Sequence, residues 1–229
     1  MRTVIIPTLN EEENIEPLVR SIFHFLGKDE CSIIIVDDNS DDNTHKIVEQ
    51  LIDEYVNLSI IIRYHERGLG GAVREGASQV PEGPIVVMDA DFSHHPRYLP
   101  KMFEKLEEGY DVVVGSRHTS GGRIIGWTGR RIAMSMIAIR LVTLLFRVKT
   151  TDPMSGLVGC KSPKYLVTGF QGSGFKFLLE VLVRDPALKV ADVPITFRDR
   201  VRGSSKLGSE TILQFLNLIV NLLFARKGK

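Results

Sequence analysis

With 229 residues, 43% of them hydrophobic and 25% charged, the chain has an ordinary globular composition and is long enough for one sizeable α/β core. A formal net charge of +1 argues against a globally electrostatic nucleic-acid binder. The two cysteines, Cys31 and Cys160, sit far apart in apolar runs, which argues against a disulfide framework or a zinc ribbon and fits a reducing, cytoplasmic setting. Met1-Arg2 leads directly into a strand pattern, leaving no room for a secretory leader. No apolar run reaches the ~20 residues of a spanning helix. The nearest approaches, 132–146 and 212–224, are broken by Arg140 and by Gln214, Asn217 and Asn221.

Residues 3–6, 32–36, 58–63, 85–88 and 111–114 are short runs rich in β-branched side chains, the pattern of strands buried on both faces. Helical patterns lie between them. Asn10-Glu11-Glu12-Glu13 reads as a capping box opening a helix through Phe25, and Asp41-Asp42 starts another that ends near Tyr55. This alternation predicts an α/β fold, a mainly parallel, doubly wound sheet with flanking helices and right-handed crossovers. Ligands then bind outside the carboxyl ends of the strands. Beyond Arg117, a glycine-rich stretch with Trp127 leads into a basic apolar helix over 130–147. A strand at 157–160, a helix at 175–184, a strand at 190–197 and a helix at 210–224 complete the chain, with no linker or internal repeat.

The chemistry-bearing residues follow the predicted strands. Asp89-Ala90-Asp91 ends the apolar run 86–88, and period-two geometry points both carboxylates to one face, where they can share a hard divalent cation. A solvated acidic turn before a helix at Pro96 is the other reading, and the triplet alone does not separate them. His94 and His95 invite a zinc site. No further His or Cys falls at ligand spacing, which favours a helix-start role. Asp37 and Asp38 end the second strand, where carboxylates can accept hydrogen bonds from a nucleoside, whereas Asp41 or Asp42 reads as a cap. The stretch 67–72 lacks the P-loop ending and the third glycine of a dinucleotide fingerprint, so it reads as a tight turn. Between Asp111 and Asp152 there is no acid, and Arg117, Arg130 and Arg131 are candidate phosphate clamps. Residues 197–206 concentrate cations on small residues, the character of a flap able to close over a polyphosphate.

Taken in order, Pro7-Thr8-Leu9-Asn10-Glu11, Val36-Asp37-Asp38-Asn39-Ser40, Asp89-Ala90-Asp91, Gly115-Ser116-Arg117, Asp152-Pro153-Met154-Ser155-Gly156 and Arg202-Gly203-Ser204-Ser205-Lys206 resemble family 2 glycosyltransferases of the GT-A fold. The resemblance covers nearly the whole chain and is strongest to the members that act on dolichyl phosphate. It implies a single nucleotide-sugar domain over 1–229, with 1–117 binding the donor and 118–229 forming an acceptor-binding, membrane-facing half with an amphipathic helical elaboration. The implied reaction moves mannose from GDP-mannose to dolichyl or another polyprenyl phosphate, with inversion and with Mg²⁺ or Mn²⁺ as cofactor. Glucosyl transfer from UDP-glucose to the same lipid is the alternative, and a non-catalytic nucleotide-sugar-binding module a more distant one.

By matching positions, the resemblance places Pro7, Leu9 and Glu11 at the guanine and Val36 and Asp38 at the nucleoside. Asp89, Ala90, Asp91 and Ser93 fall at the metal and diphosphate. Arg117, Arg131 and Ser135 fall at the acceptor phosphate, and Arg202 and Lys206 on a mobile loop over the donor. Many relatives have Tyr at Leu9 and some have Gln at Ser93, so ligation at Ser93 would run through water. A lipid acceptor requires work at a bilayer. The segment 132–146, flanked and crossed by Arg130, Arg131, Arg140 and Arg147, is the candidate interfacial helix, with an internal packing helix as the other reading. The expected location is the cytoplasmic face of a membrane, held peripherally by the last helix or by a small membrane-anchoring subunit.

Overall fold

The computed structural model describes residues 1–64, 67–170, 176–199 and 209–227. The chain opens with β1 (Arg2–Thr8), α1 (Ile15–Leu26), β2 (Cys31–Asp37), α2 (Thr44–Ile52), β3 (Leu58–Ile62) and α3 (Leu69–Ser78). β4 (Ile85–Val87), a 3-10 turn at Pro96–Tyr98, α4 (Leu99–Glu107) and β5 (Val112–Ser116) follow. Then come β6 (Arg123–Ile125), α5 (Gly129–Phe146), β7 (Val158–Cys160), α6 (Lys164–Thr168), α7 (Phe177–Arg184), β8 (Val190–Pro194), β9 (Thr196–Arg198) and α8 (Ser209–Lys227).

Seven strands form one sheet in the order β3-β2-β1-β4-β7-β5-β8, and β6 pairs with β9 in a small parallel ribbon. Every neighbouring pair in the large sheet is parallel except those of β7, which runs antiparallel between β4 and β5. This arrangement matches the mainly parallel, doubly wound sheet read from the sequence. The strand order reverses on the two sides of β1, so a crevice opens at the carboxyl edge between the loops after β1, β2 and β4. Because β7 points the other way, the loop before it, 150–157, arrives at that same edge.

Both faces of the sheet are covered. Ile15, Leu18 and Ile22 of α1, Val48 and Leu51 of α2, and Met102 and Phe103 of α4 close one face. Ala72, Val73 and Ala77 of α3, Leu166 of α6 and Phe177, Leu178 and Val181 of α7 close the other. The approach of α3 is close: a Cβ on Gly76 would stand 2.7 Å from Ile5 and 2.9 Å from Val36. Alternating side chains would give a half-solvated sheet, whereas these continuous apolar runs bury on both sides.

Three expectations change. The capping box at Asn10 does not form: Asn10 adopts a left-handed φ of 59°, its side chain accepts from the Asp41 N–H at 2.9 Å, and α1 starts only at Ile15. The strand expected over 190–197 is split at Ile195 into β8 in the main sheet and β9 in the ribbon. The helix expected to be amphipathic, α5, is apolar on two faces. Ile139, Val142 and Phe146 are buried, and the last two, with Leu179, Ile219 and Leu222, form a core joining α5, α7 and α8, while Ile137 (66%) and Leu144 (79%) stand exposed.

Candidate active site

The carboxylate end of the crevice is built by β4. After Val87 the chain leaves the sheet, Met88 still buried, and presents Asp89 and Asp91, both partly exposed. Phe92 then takes a φ of 57°, a left-handed conformation uncommon for a bulky residue, and the turn lets the Ser93 N–H donate to Asp91 Oδ1 at 2.9 Å. Asn10 and Asn39, in the loops after β1 and β2, share this conformation with φ of 59° and 56°. Strained backbone therefore gathers at one edge of the sheet, as it does at functional sites. Asp89 Oδ2 lies 3.4 Å from His94 Nδ1, and the His94 ring is buried behind it. Burial holds the imidazole below its usual range and Asp89 offsets this only in part, so the ring is neutral at pH 7. Gly156, from the loop before β7, packs against this pair: a Cβ there would collide with the Asp89 carboxylate and approach His94 Cε1 at 3.2 Å.

Two carboxylates suit a hard divalent cation that keeps waters and takes its remaining oxygens from phosphates, as Mg²⁺ does in nucleotide sites. No group of three or more His, Cys, Asp or Glu able to hold a metal occurs among the described residues. The donor set thus fits a substrate-shared Mg²⁺ or Mn²⁺ and not a closed structural zinc.

The cationic end is built by β5, the β6–β9 ribbon and the start of α5. Arg117, one residue past β5, is buried and gives three hydrogen bonds to Asp152: from its backbone N–H at 3.1 Å, from Nε at 2.7 Å and from Nη2 at 2.7 Å. Asp152, itself fully buried, comes from the loop before β7. Arg131 lies in the first turn of α5, which Thr128 caps by accepting from the Arg131 N–H. Its Nη1 donates to Asp199 at 2.7 Å. Both guanidinium groups lie over the Trp127 ring, Arg131 at 4.1 Å and Arg117 at 5.2 Å.

Phe197 of β9 connects the two ends. Its ring meets His94 at 5.2 Å and Trp127 at 5.5 Å, and Arg117 stands over it at 5.4 Å. His94 feels Asp89, Asp91, Arg117 and Asp152 together. The acids after β4 and the arginines of the ribbon side therefore belong to one site.

The Glycosyl transferase family 2 profile matches residues 3–163. The chain belongs to this family. A family 2 transferase named dolichol-phosphate mannosyltransferase, from Pyrococcus furiosus, is 37% identical over 96% of this chain, which spans 63% of that relative. Proteins of the same name from Saccharomyces cerevisiae and Mycosarcoma maydis are 34% and 32% identical over 99% of this chain, which spans 88% and 80% of them. Glucosyl-3-phosphoglycerate synthase from Mycobacterium tuberculosis, solved with Mn²⁺, uridine diphosphate and glucosyl-3-phosphoglycerate, aligns with a TM-score of 0.72 at 20% identity, covering 100% of this chain and 80% of that one. Its structure with Mg²⁺ and uridine diphosphate gives 0.72 at 19%, covering 100% and 79%. At these identities the likeness concerns the fold, GT-A.

In this family 2 transferase the expected site residues separate by what their side chains do. Leu9 (42% exposed) and Glu11 stand at the rim after β1, beside Pro7. Asp38 is engaged by the chain itself: Arg63 Nη1 donates to one oxygen and the Gly68 N–H to the other at 2.7 Å. The glycine-rich stretch expected as a tight turn instead opens α3, which takes in 69–72 and follows Gly68 directly. Asp37 is structural, receiving Thr8 Oγ1 at 2.9 Å and Ser40 N and Oγ at 2.7 and 2.6 Å.

Three assignments need correction. Val36 is fully buried under α3, because the alternation along β2 turns its side chain into the core, so it does not line an open nucleoside pocket. Ala90 packs into the other core and offers the crevice only backbone. Ser93 is buried with Oγ 3.2 Å from His94 Nδ1, so its direct contact with the Asp91 carboxylate is through its N–H. His95 does start the 3-10 turn, accepting from the Arg97 N–H at 3.2 Å, whereas His94 belongs to the site. Ser135 lies one helical turn after Arg131 on α5. Arg202 and Lys206 lie outside the described residues.

Asp152, Asp199, Trp127, Phe197, Arg63 and Lys176 were not singled out as site residues from the sequence. Lys176 is half-buried before α7 with Nζ over the Phe215 ring at 5.7 Å. Burial, with the charge of Arg117 adding and that of Asp152 opposing, lowers its pKa to about 8. The acid-free stretch around the arginines carried the available signal: buried guanidinium groups need carboxylates, and these must come from outside the stretch, as Asp152 and Asp199 do.

Proposed function

We propose that this transferase moves mannose from GDP-mannose to dolichyl or another polyprenyl phosphate, giving the β-linked mannosyl lipid phosphate and GDP. The names of its relatives support the reaction. The observation that supports the assignment of ends is the Phe197 ring, which touches both His94, behind Asp89, and Arg117. A phosphate oxygen of the acceptor forms the new bond to the anomeric carbon, while the bond from that carbon to the diphosphate breaks and its electron pair leaves on GDP. The acceptor is already an anion at neutral pH, so no strong base is required, in keeping with arginines and not histidines on that side.

Asp89 and Asp91 would hold Mg²⁺ or Mn²⁺, which stabilises the leaving diphosphate as its charge develops. Leu9, Glu11 and the backbone around Pro7 line the base side. Asp38 reaches the nucleoside only if it shares or exchanges its Arg63 partner. Arg117, Arg131 and Ser135 receive the acceptor phosphate, Arg117 as the fixed cation and Arg131 as the outer one. Residues 1–117 serve the donor and 118–229 the acceptor, in one domain, with Arg202 and Lys206 closing over the diphosphate.

No helix among the described residues is long and apolar enough to cross a membrane. The exposed apolar residues of α5 and those of α8, Leu216, Val220 and Phe224, together with exposed Arg130, Arg140 and Arg147, fit peripheral seating on an anionic bilayer, here its cytoplasmic face. A small membrane subunit could cover the same faces. Donor choice is tested by thermal unfolding with Mg²⁺: stabilisation by GDP-mannose and none by UDP-glucose is expected. The reverse order would assign a glucosyl donor.

A further inference from the structure

Arg117 and Arg131 carry like charges and are fastened unequally. Arg117 is buried and fixed by three hydrogen bonds to Asp152. Arg131 is 21% exposed on its side chain, whose one hydrogen bond among the described residues goes to an Asp199 carboxylate that is 30% exposed. Such an exposed pair alone fixes a long side chain poorly. What else Arg131 touches is the face of Trp127, at 4.1 Å.

The indole is itself firmly seated. It follows Gly126, whose φ of 94° turns the chain out of β6, and precedes the Thr128 cap of α5. Its other contacts are the edge of Phe197 and the guanidinium of Arg117. Arg131 Nε and Trp127 Nε1 are both buried with no hydrogen-bond partner among the described residues. The centre of the guanidinium therefore lies over the ring face, and its Nη1 meets Asp199. An aromatic face attracts a cation through its quadrupole and, unlike a second carboxylate, does so without neutralising the charge needed for a phosphate.

We infer that Trp127 is a positioning residue for the acceptor phosphate, setting the orientation of Arg131 and its spacing from Arg117. This rests on the proposed role of Arg131. The ring acts through the second cation and not on the donor, so its loss changes acceptor recognition selectively.

The test is steady-state transfer with a water-soluble short-chain polyprenyl phosphate and GDP-mannose, on the full chain. Trp127→Leu is expected to raise the acceptor KM about 3- to 30-fold, the range of a cation–π contact, with the donor KM unchanged. Trp127→Phe, which keeps an aromatic face, is expected to restore most of the loss. In an Arg131→Ala background Trp127→Leu should add nothing, because the cation that remains over the ring, Arg117, is already placed by its hydrogen bonds to Asp152. Additive effects in the double variant, or a donor KM that rises in parallel, would assign Trp127 a general packing role and overturn the inference. An unchanged acceptor KM in Trp127→Leu beside a raised one in Arg131→Ala would overturn it while leaving the reading of Arg131 intact. An unchanged KM in Arg131→Ala would remove that reading and the inference with it.

Discussion

The carboxylate wall of the crevice hangs from the central sheet alone, whereas the arginine wall takes Arg117 from the end of a central strand and Arg131 from the first turn of a helix beside a two-stranded ribbon. Asp89 and Asp91 follow a strand that is buried along its length, with Gly156 and His94 packed behind them. Across from them, Arg117 is locked to a buried acid, but Arg131 is held by a half-exposed one and by the face of an indole. On the proposed reading, this difference separates two tasks. Fixed spacing suits a cation and diphosphate whose geometry repeats every turnover, and a looser outer cation suits a phosphate that arrives on a long lipid.

The contrast can be broken in order of expected effect. Asp91→Ala removes a carboxylate from the leaving-group side and should lower transfer by about 10²- to 10³-fold, measured as product formed from saturating donor. Asp152→Ala strands the Arg117 guanidinium in the interior and should lower unfolding free energy by ~3–5 kcal/mol in chemical denaturation. Adding Arg117→Met to it should recover much of that stability, since the buried unpaired charge is gone. If Asp152→Ala were no less stable than the parent, the rigid side of the comparison would be lost.

Lys176 gives a pH handle on the same region. Its folded pKa of about 8 lies below the ordinary lysine value of 10.5, so between these values the unfolded chain binds the proton that the folded one has released. This group therefore makes folding less favourable below about pH 8 and contributes increasing stability, relative to that, up to about pH 10.5. Lys176→Met should be more stable than the parent at pH 7, with the gap shrinking by pH 10, by denaturant titration at both values. A gap independent of pH would mean that burial does not depress this amine. Asp199→Ala should cost the least stability, roughly 0–1 kcal/mol, because its pair is partly solvated, while raising the acceptor KM.

Much of this architecture is written locally in the chain. Buried strands announce themselves as β-branched runs, and the rule that ligands sit beyond their carboxyl ends leads straight to Asp89, Asp91 and Arg117. Asp42 caps the second helix, as its position before Thr44 suggests: its Oδ1 accepts from the Thr44 N–H at 2.9 Å. What was hidden depends on pairing over distance. Nothing in three residues, Val158–Cys160, gives the direction of β7, and that direction is what delivers Asp152 and Gly156 to the site. The ribbon joins strands some seventy residues apart, so Phe197 and Asp199 could not be tied to Trp127 and Arg131 beforehand. Val36 faces inward through the pleat of β2, and Ala90 and Ser93 through the bend around the left-handed Phe92; a motif names positions without saying which side chains look inward.

The most direct measurement is transfer of label from GDP-[¹⁴C]mannose to dolichyl phosphate by purified protein in mixed micelles with Mn²⁺. Labelled lipid that disappears on chelation and in Asp91→Ala, and that needs a higher acceptor concentration in Arg131→Ala, is the expected result. No labelled lipid from folded, donor-binding protein, or label transfer indifferent to Asp91, would contradict the assignment of the two walls.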